Sequence, residues 1–386
     1  MNRQLSILLV EDSPSDAELI GIFLEQSPLH VHLHQVDSVT SSLDAIDQAA
    51  ACGEPFNCVL LDLGLPDCSG IETYRRLAGH APDLPVIILS GNTEDGLALQ
   101  AVQEGAQDYL PKSEMSSSSL ARAVRYAVER HERALGQKRL ENLERDMQTA
   151  ATIQKRLLPL VPADVPGIDI AARSIPAEAT GGDFYDFFRL SNGRVGTMIA
   201  DVSGHGLGAA FIMASTMGTI RSLVHNEADP GEILTAANQH VLAETGAEHF
   251  VTAFYGVIDP HRRELVFANA GHGGWLLHDC GTIESLDSPG GFPLGIVDDH
   301  SYQTSSLIRL KPNTSLIMLT DGIHEAIDSS ETTFSMERVQ AALRDLRGAS
   351  AEELVEGTLA IVSKFCHPRL PLDDMTMVAL RLREQT

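Results

Sequence analysis

Between Leu5 and Leu110 five short apolar runs, Ile7–Val10, Val31–Val36, Cys58–Leu61, Val86–Leu89 and Asp108–Leu110, alternate with amphipathic stretches. Runs this short and this apolar suit strands buried on both faces. The stretches between them are long enough to cross over as helices, which constrains this part of the chain to a parallel sheet covered on both sides. Helices are expected at Ser15–Glu25, Val39–Ala51, Ile71–Ala78 and Glu94–Glu104, the last closed by Gly105 where a left-handed cap is wanted. The fold predicted here is an α/β domain with a five-stranded doubly wound parallel sheet.

In such sheets ligands bind beyond the carboxyl ends of the strands. Glu11 and Asp12 follow the first strand, Asp62 ends the third, Ser90 ends the fourth and Lys112 follows the fifth. A carboxylate accepts phosphate only if a cation neutralises the approaching oxygens, and hard oxygen ligands from Glu11, Asp12 and Asp62 would hold magnesium. Asp62 is the expected nucleophile. Ser90 and Lys112 would bind the transferred phosphoryl oxygens, one as a hydroxyl donor and one as a point charge. Any one of these residues alone would be an ordinary polar group at a strand end; five at successive strand ends form a pattern.

The segments ILLVEDSPSD, VLLDLGLPDCSG, VIILSG and DYLPKS resemble the receiver domains of bacterial two-component response regulators over roughly residues 4–128. The resemblance implies phosphorylation of Asp62 by a histidine kinase or phosphotransfer protein, with the backbone carbonyl of Gly64 completing a Mg2+ site. It also implies that Ser90 and Tyr109 move together on phosphorylation. Two departures are mild: Ser113 follows the lysine where proline is commoner, and Gly64 stands where a larger residue is usual.

Ser116–Leu158 holds one glycine, Gly136, and no proline, and is expected as one long helix or two joined. Apolar or small residues recur at Leu120, Val124 and Ala127, then at Leu140, Leu143, Met147, Ala150 and Leu157, with Gln154 at a seam position. Spacings of three and four suit a coiled coil, so a homodimer through this linker is expected, against the alternative of an amphipathic helix lying on its own domain. A four-residue step from His131 to Leu135 breaks the rhythm as a stutter would.

Beyond the linker, strand-like segments (Arg194–Ala200, Thr252–Ile258, Glu264–Asn269, Ser315–Thr320, Met375–Leu382) mix with helices at Gly208–His225, Gly231–Glu244 and Ala351–Phe365. An α+β sandwich of two antiparallel sheets flanked by helices is expected. The expected division is a receiver at about 1–128, a helical linker at about 116–158 and a catalytic domain at about 159–386. Asp183, Asp201, Asp321 and Asp373 each abut a strand end, in the contexts GGDFYD, DVSGHG, TDG and DDMT. Carboxylates gathered this way could hold two divalent ions that neutralise a phosphate monoester and turn water into hydroxide, with flanking glycines letting backbone approach closely.

These segments, with the ATIQKRLLP run at 151–159, resemble the metal-dependent type 2C serine/threonine phosphatases, in the bacterial branch of sporulation and stress-response regulators (SpoIIE/RsbU-like), over about residues 148–383. The resemblance implies that Asp183, Asp201 and the carbonyl of Val202 hold one Mn2+ or Mg2+ or bridge two, with Asp321 and Asp373 completing the second. Asp186, Asp374 and Gly182 would support the site, and His205 could donate a proton to the leaving oxygen, although its offset from Asp201 differs from that of the eukaryotic relatives' histidine and the general acid stays open. The implied substrate is a phosphoserine or phosphothreonine protein, commonly an anti-sigma-factor antagonist. The alternative is a non-catalytic adaptor that binds a sigma factor or its regulator; adaptors are free to lose such acids, and here all four are kept.

With 28 basic against 53 acidic side chains, a formal net charge of −25 argues against nucleic acid as a partner. Five scattered cysteines without a CxxC pair suggest neither zinc nor a disulfide framework, which fits a reducing cytoplasm. The start of the chain lacks the pattern of a secretory leader, and no stretch is expected to reach the ~20 apolar residues of a membrane span.

Overall fold

The computed structural model describes residues 4–91, 95–162, 165–224, 229–245, 248–286 and 291–384; Glu94 and His225, expected at helix ends, lie outside the described residues. The chain divides into two compact units, Met1–Asn142 and Leu143–Thr386.

In the first unit β1 (Leu5–Val10), α1 (Pro14–Glu25), β2 (Val31–Val36), α2 (Val39–Ala51), β3 (Cys58–Asp62), α3 (Ile71–His80), β4 (Val86–Ser90), α4 (Asp95–Gln103) and β5 (Asp108–Pro111) build one sheet ordered β2-β1-β3-β4-β5. Every pair in it is parallel. β3 and β4 are buried from end to end, as strands covered on both faces must be. Period-two alternation divides β1 between two cores: Ile7 and Leu9 join the side of α1, while Leu8 and Val10 join the side of α2, α3 and α4. Proline at the first turn of α1 and Ser13 accepting from the Asp16 amide start that helix just past β1, which keeps Glu11 and Asp12 at the strand's end.

The linker is a single helix, α5 (Ser117–Leu157), of 41 residues. Both ends of the expected seam belong elsewhere. Leu120, Val124 and Ala127 are buried in the first unit's own core, Leu157 packs against the second unit's core, and the Gln154 side chain is hydrogen-bonded to the backbone of Gly181. The physical reason is that three- and four-residue spacing marks a helix with one apolar side and says nothing of which surface covers it. Leu140 and Leu143, in the middle, are exposed.

The second unit continues with β6 (Ile168–Ile175), β7 (Phe184–Arg189), β8 (Val195–Val202), α6 (Gly206–Val224), α7 (Pro230–Thr245), β9 (Val251–Asp259), β10 (Glu264–Ala270), β11 (Gly274–Leu277), β12 (Ile283–Ser285), β13 (Ile308–Arg309), β14 (Ser315–Leu319), α8 (Asp321–His324), α9 (Met336–Asp345), α10 (Ala351–Cys366) and β15 (Met375–Leu382). Two antiparallel sheets, β13-β10-β9-β8-β7 and β12-β11-β14-β15-β6, pack face to face. Between them lie Tyr185, Ile199, Phe254, Leu316, Met318, Val378 and Leu380. Helices α6 and α7 cover one outer face, and α9 and α10 cover the other.

One expectation about length needs amending. Helix α6 is 19 residues long and apolar enough to cross a membrane by length and composition. Here Ala209, Met213, Met217, Ile220 and Val224 bury one side of it in the core.

Candidate functional site

In the first unit the strand-end residues meet. One carboxylate oxygen each from Glu11, Asp12 and Asp62 lies within 4.8 Å of the others, with Glu11 and Asp62 buried and Asp12 exposed. The Lys112 ammonium reaches the same spot, 2.8 Å from Glu11 Oε2, 2.9 Å from Asp16 Oδ2 and hydrogen-bonded to Asp62 Oδ2. Burial first, with the Asp62 charge adding to it, lifts the Glu11 carboxyl to about 7 against the opposing pull of the Lys112 ammonium. For Lys112 burial acts downward, but hydrogen bonds to Asp62, Glu11 and Asp16 outweigh it and hold the ammonium above the usual lysine value. Asp16 carries no signal in the sequence beyond its place one turn into α1, and the structure makes it the third carboxylate on the lysine. Ser90 is fully buried, and its hydroxyl has no hydrogen-bond partner among the described residues. Tyr109 packs half-buried on the core beneath α4, and the Gly64 amide donates to Asp62 Oδ1 at 2.9 Å.

In the second unit, alternation builds the site. Val195 and Ile199 of β8 face the other sheet, so Asp201 continues that face at the strand's end. On the same inward surface stand Asp183, one residue ahead of β7, Thr252, paired with Asp201 across β8 and β9, and Thr320 and Thr376 of the facing sheet. The apolar filling between the sheets thus gives way at one end to carboxylates and hydroxyls. A cleft of about 270 Å³ opens there, lined by Asp201, Val202, His205, Phe250, Asp321 and Asp373 among others.

The acids in it repel one another. Burial first, then Asp321 and Asp373, raise the Asp201 carboxyl to about 7, and Asp183 lies within its hydrogen-bonding reach. Asp183, 5% exposed, is pushed well above the ordinary range by burial and by Asp201, although the Thr320 hydroxyl donates to its Oδ2 at 2.7 Å. Asp321 is raised by burial and by Asp373. Among the described residues these acids do not close to within 4.8 Å in threes, as the first unit's do; Asp201, Asp321 and Asp373 line the cleft, and Asp183 stands beside Asp201 at its back. Hard-oxygen donors, buried at Asp183, half-buried at Asp201 and Asp321 and exposed at Asp373, are gathered against like charge, a donor set that a divalent cation would relieve, so the residues fit such an ion. A Cβ on Gly182 would stand 2.8 Å from the Val202 carbonyl oxygen, so only glycine leaves that carbonyl open beside the acids.

The supporting residues take different posts. Asp374 turns away from the cleft and accepts the amides of Ala177 (2.9 Å), Gly182 (2.7 Å) and Asp183 (3.4 Å), which fixes the turn carrying Asp183. Asp186 is paired with Arg221 of α6 at 2.6 Å. His205 lies exposed at the cleft with Glu178 3.0 Å from its Nδ1.

Comparison with known proteins matches this architecture. The family described as Stage II sporulation protein E (SpoIIE) matches residues 191–383, half of the chain. The chain belongs to the SpoIIE family. Residues 7–125 match the response regulator receiver domain. Phosphoserine phosphatase RsbU of Bacillus subtilis is 28% identical over 245 residues, which are 62% of this chain and 71% of RsbU. The transcriptional regulatory protein KdpE of Mycobacterium tuberculosis is 38% identical over 125 residues, 32% of this chain and 51% of KdpE. Among solved structures, the PP2C domain of SiaA from Pseudomonas aeruginosa superposes with a TM-score of 0.57 at 21% identity, covering 63% of this chain and 98% of that domain. This SpoIIE family member therefore joins a receiver domain to a phosphatase domain of the 2C fold.

Behind the cleft of this SpoIIE domain lies a residue whose titration is testable. His272 is 5% exposed, its Nδ1 is 2.9 Å from the Thr252 hydroxyl, and its backbone is tied at both ends to the Asn269 carboxamide. Burial lowers its pKa to about 4. The unfolded chain takes up this proton near 6.5 and the folded chain only near 4, so this contribution to stability is lost as pH falls between those values. Wild type is expected to lose about 2 kcal/mol more than His272→Gln between pH 7 and pH 5. Urea midpoints of both proteins at the two pH values check it; equal losses would refute the assignment.

Proposed function

We propose that this chain is a response regulator whose output is a metal-dependent serine/threonine protein phosphatase, controlled through phosphorylation of Asp62 by a histidine kinase or phosphotransfer protein. The observation that carries the output half is the acid-lined cleft between the ends of the two sheets. Asp183, Asp201, Asp321, Asp373 and the Val202 carbonyl would hold Mn2+ or Mg2+, and their spread suits a pair of ions. Bound there, such ions neutralise a phosphate monoester's oxygens and ready a water for attack. The chain's own groups do the rest. Thr320 orients the Asp183 carboxylate, and Asp374 holds the turn behind it. Phe250 and Leu372 form an exposed apolar rim that receives the residues flanking a phosphoserine and sheds water as they bind. His205 stands where it can give a proton to the departing serine oxygen.

The substrate is a phosphoserine or phosphothreonine protein, and an anti-sigma-factor antagonist is the kind this reading favours. In the receiver, Glu11, Asp12 and Asp62 would hold Mg2+ while Lys112 and Ser90 take the phosphoryl oxygens. The exposed Leu140 and Leu143 support pairing of α5 with a second copy in a homodimer.

The test is phosphate release from a phosphoserine protein and from a nitrophenyl ester across a Mn2+ titration, with Asp321→Ala and Asp373→Ala alongside. Wild type is expected to turn over only with metal and each variant to fall to background; equal rates in all three would leave a non-catalytic adaptor. Rates with and without beryllofluoride, beside Asp62→Asn, test control by the receiver. No change in wild type would uncouple the two units.

A further inference from the structure

We propose that Gln154, on the last turn of α5, is a positioning residue of the phosphatase site: its carboxamide holds the turn that presents Asp183 to the cleft. The inference rests on the reading of that cleft as a cation site.

The geometry is specific. The Gln154 carboxamide accepts from the Gly181 amide at 3.1 Å and donates to the Gly181 carbonyl, so one side chain satisfies both backbone groups of one residue. Among side chains only the primary amides of Asn and Gln offer a donor and an acceptor in this fork. Gly181 is itself wedged: a Cβ there would overlap the Asp374 carboxylate. The turn from Gly181 to Asp183 is therefore clamped between two side chains, Asp374 on one side and Gln154 on the other.

The two halves of the clamp have different supports. Asp374 leads directly into β15, in the middle of a sheet. Gln154 rides on α5, whose last carbonyl, Leu157 O, accepts from Arg221 Nη2 at 2.8 Å. The same guanidinium is paired with Asp186, so both attachments of the helix end bear on the segment from Gly181 to Asp186. Between helix and turn lies a cavity of about 410 Å³, lined in part by Gln154, Leu158, Gly181, Tyr185 and Asp374, which leaves the helix room to shift against the turn. A displaced helix end would release Gly181 and loosen Asp183 while leaving the sheets intact.

The experiment uses the full chain and three readouts: Mn2+ binding by calorimetry, the kcat and KM of nitrophenyl ester hydrolysis, and amide exchange at Gly182 in EDTA. Gln154→Met keeps the side chain's length and removes both hydrogen bonds. Gln154→Glu keeps the acceptor and removes the donor. For Gln154→Met, Mn2+ affinity is expected to fall about 10- to 100-fold, the range seen when a residue orienting a metal ligand is lost. Exchange at Gly182 should quicken, with kcat lowered and KM little changed. Gln154→Glu should fall between it and wild type. If Gln154→Met fails to unfold cooperatively, Gln154→Glu carries the comparison alone. Variants that bind Mn2+ and exchange Gly182 as wild type does overturn the positioning role and leave the cleft's assignment standing. A wild-type protein that takes up no Mn2+ overturns both.

Discussion

Asp201→Asn will unfold at higher denaturant concentration than wild type in EDTA, yet hydrolyse phosphoserine about 1,000-fold more slowly in Mn2+, a barrier increase of about 4 kcal/mol. Both outcomes follow from one arrangement. Asp201 sits where burial and the charges of Asp321 and Asp373 oppose its ionisation, with Asp183 beside it. Without a cation the folded protein holds this cluster at a cost, and the neutral amide relieves part of it. The gain is expected to be about 2 kcal/mol, allowing for the cleft's partial access to solvent. With a cation the sign reverses, because the repulsion that burdens the empty site is what the ion's charge offsets. Mn2+ should therefore raise the unfolding midpoint of wild type and leave that of Asp201→Asn almost unmoved. Chemical denaturation in EDTA and in Mn2+, run beside turnover, measures all of this. A variant less stable than wild type in EDTA would mean that the acids do not strain one another, and would remove the physical ground for a cation site.

How much of this was legible in the residues depends on where each pattern finds its partner. The receiver's strands announce themselves because β3 and β4 are apolar up to their last residue, and Asp62 and Ser90 fall at those strand ends whatever else the chain does. The same holds for Asp201, the last residue but one of a largely apolar strand, and for Asp321 and Asp373, which flank β14 and β15. β7 was hidden because Asp186 interrupts its apolar face, and its acceptability there comes from Arg221, 35 residues on. β11, β12 and β13 are too short to show a period of two, and β12 and β13 lie at sheet edges. Gln154 misled for the opposite reason. It lies on the apolar stripe of α5, so spacing assigned it to a seam between copies. Its partner is a glycine backbone, which has no side-chain signature at all. Thr320 and Thr376 were likewise silent: a threonine at a strand end is common, and only the pairing of the sheets brings the Thr320 hydroxyl to Asp183.

Gly322→Ala is expected to cost about 3 kcal/mol of stability and about 100-fold in turnover, although it adds a single methyl group beyond the reach of any substrate. The added Cβ would overlap the backbone carbonyl oxygen of Asp374 and lie 2.9 Å from its carbonyl carbon and 3.2 Å from that of Asp373. A clash with a flexible side chain is relieved by a new rotamer; here the obstacle is main chain entering the central strand β15, and either that strand or Asp321 must move. Both movements open the site, since Asp321 and Asp373 lie on opposite sides of the contact and line the same cleft. Gly79→Ala is the matched control. It adds the same methyl group within α3, where nothing lies within 4 Å, and helix propensity predicts a gain of up to about 1 kcal/mol. Denaturant midpoints of the two variants should therefore shift in opposite directions, with turnover unchanged only in Gly79→Ala. A Gly322→Ala protein as stable and active as wild type would show that Asp321 and Asp373 are not held together by this backbone contact. The close seating of α8 on β15 would then have no part in assembling the cleft.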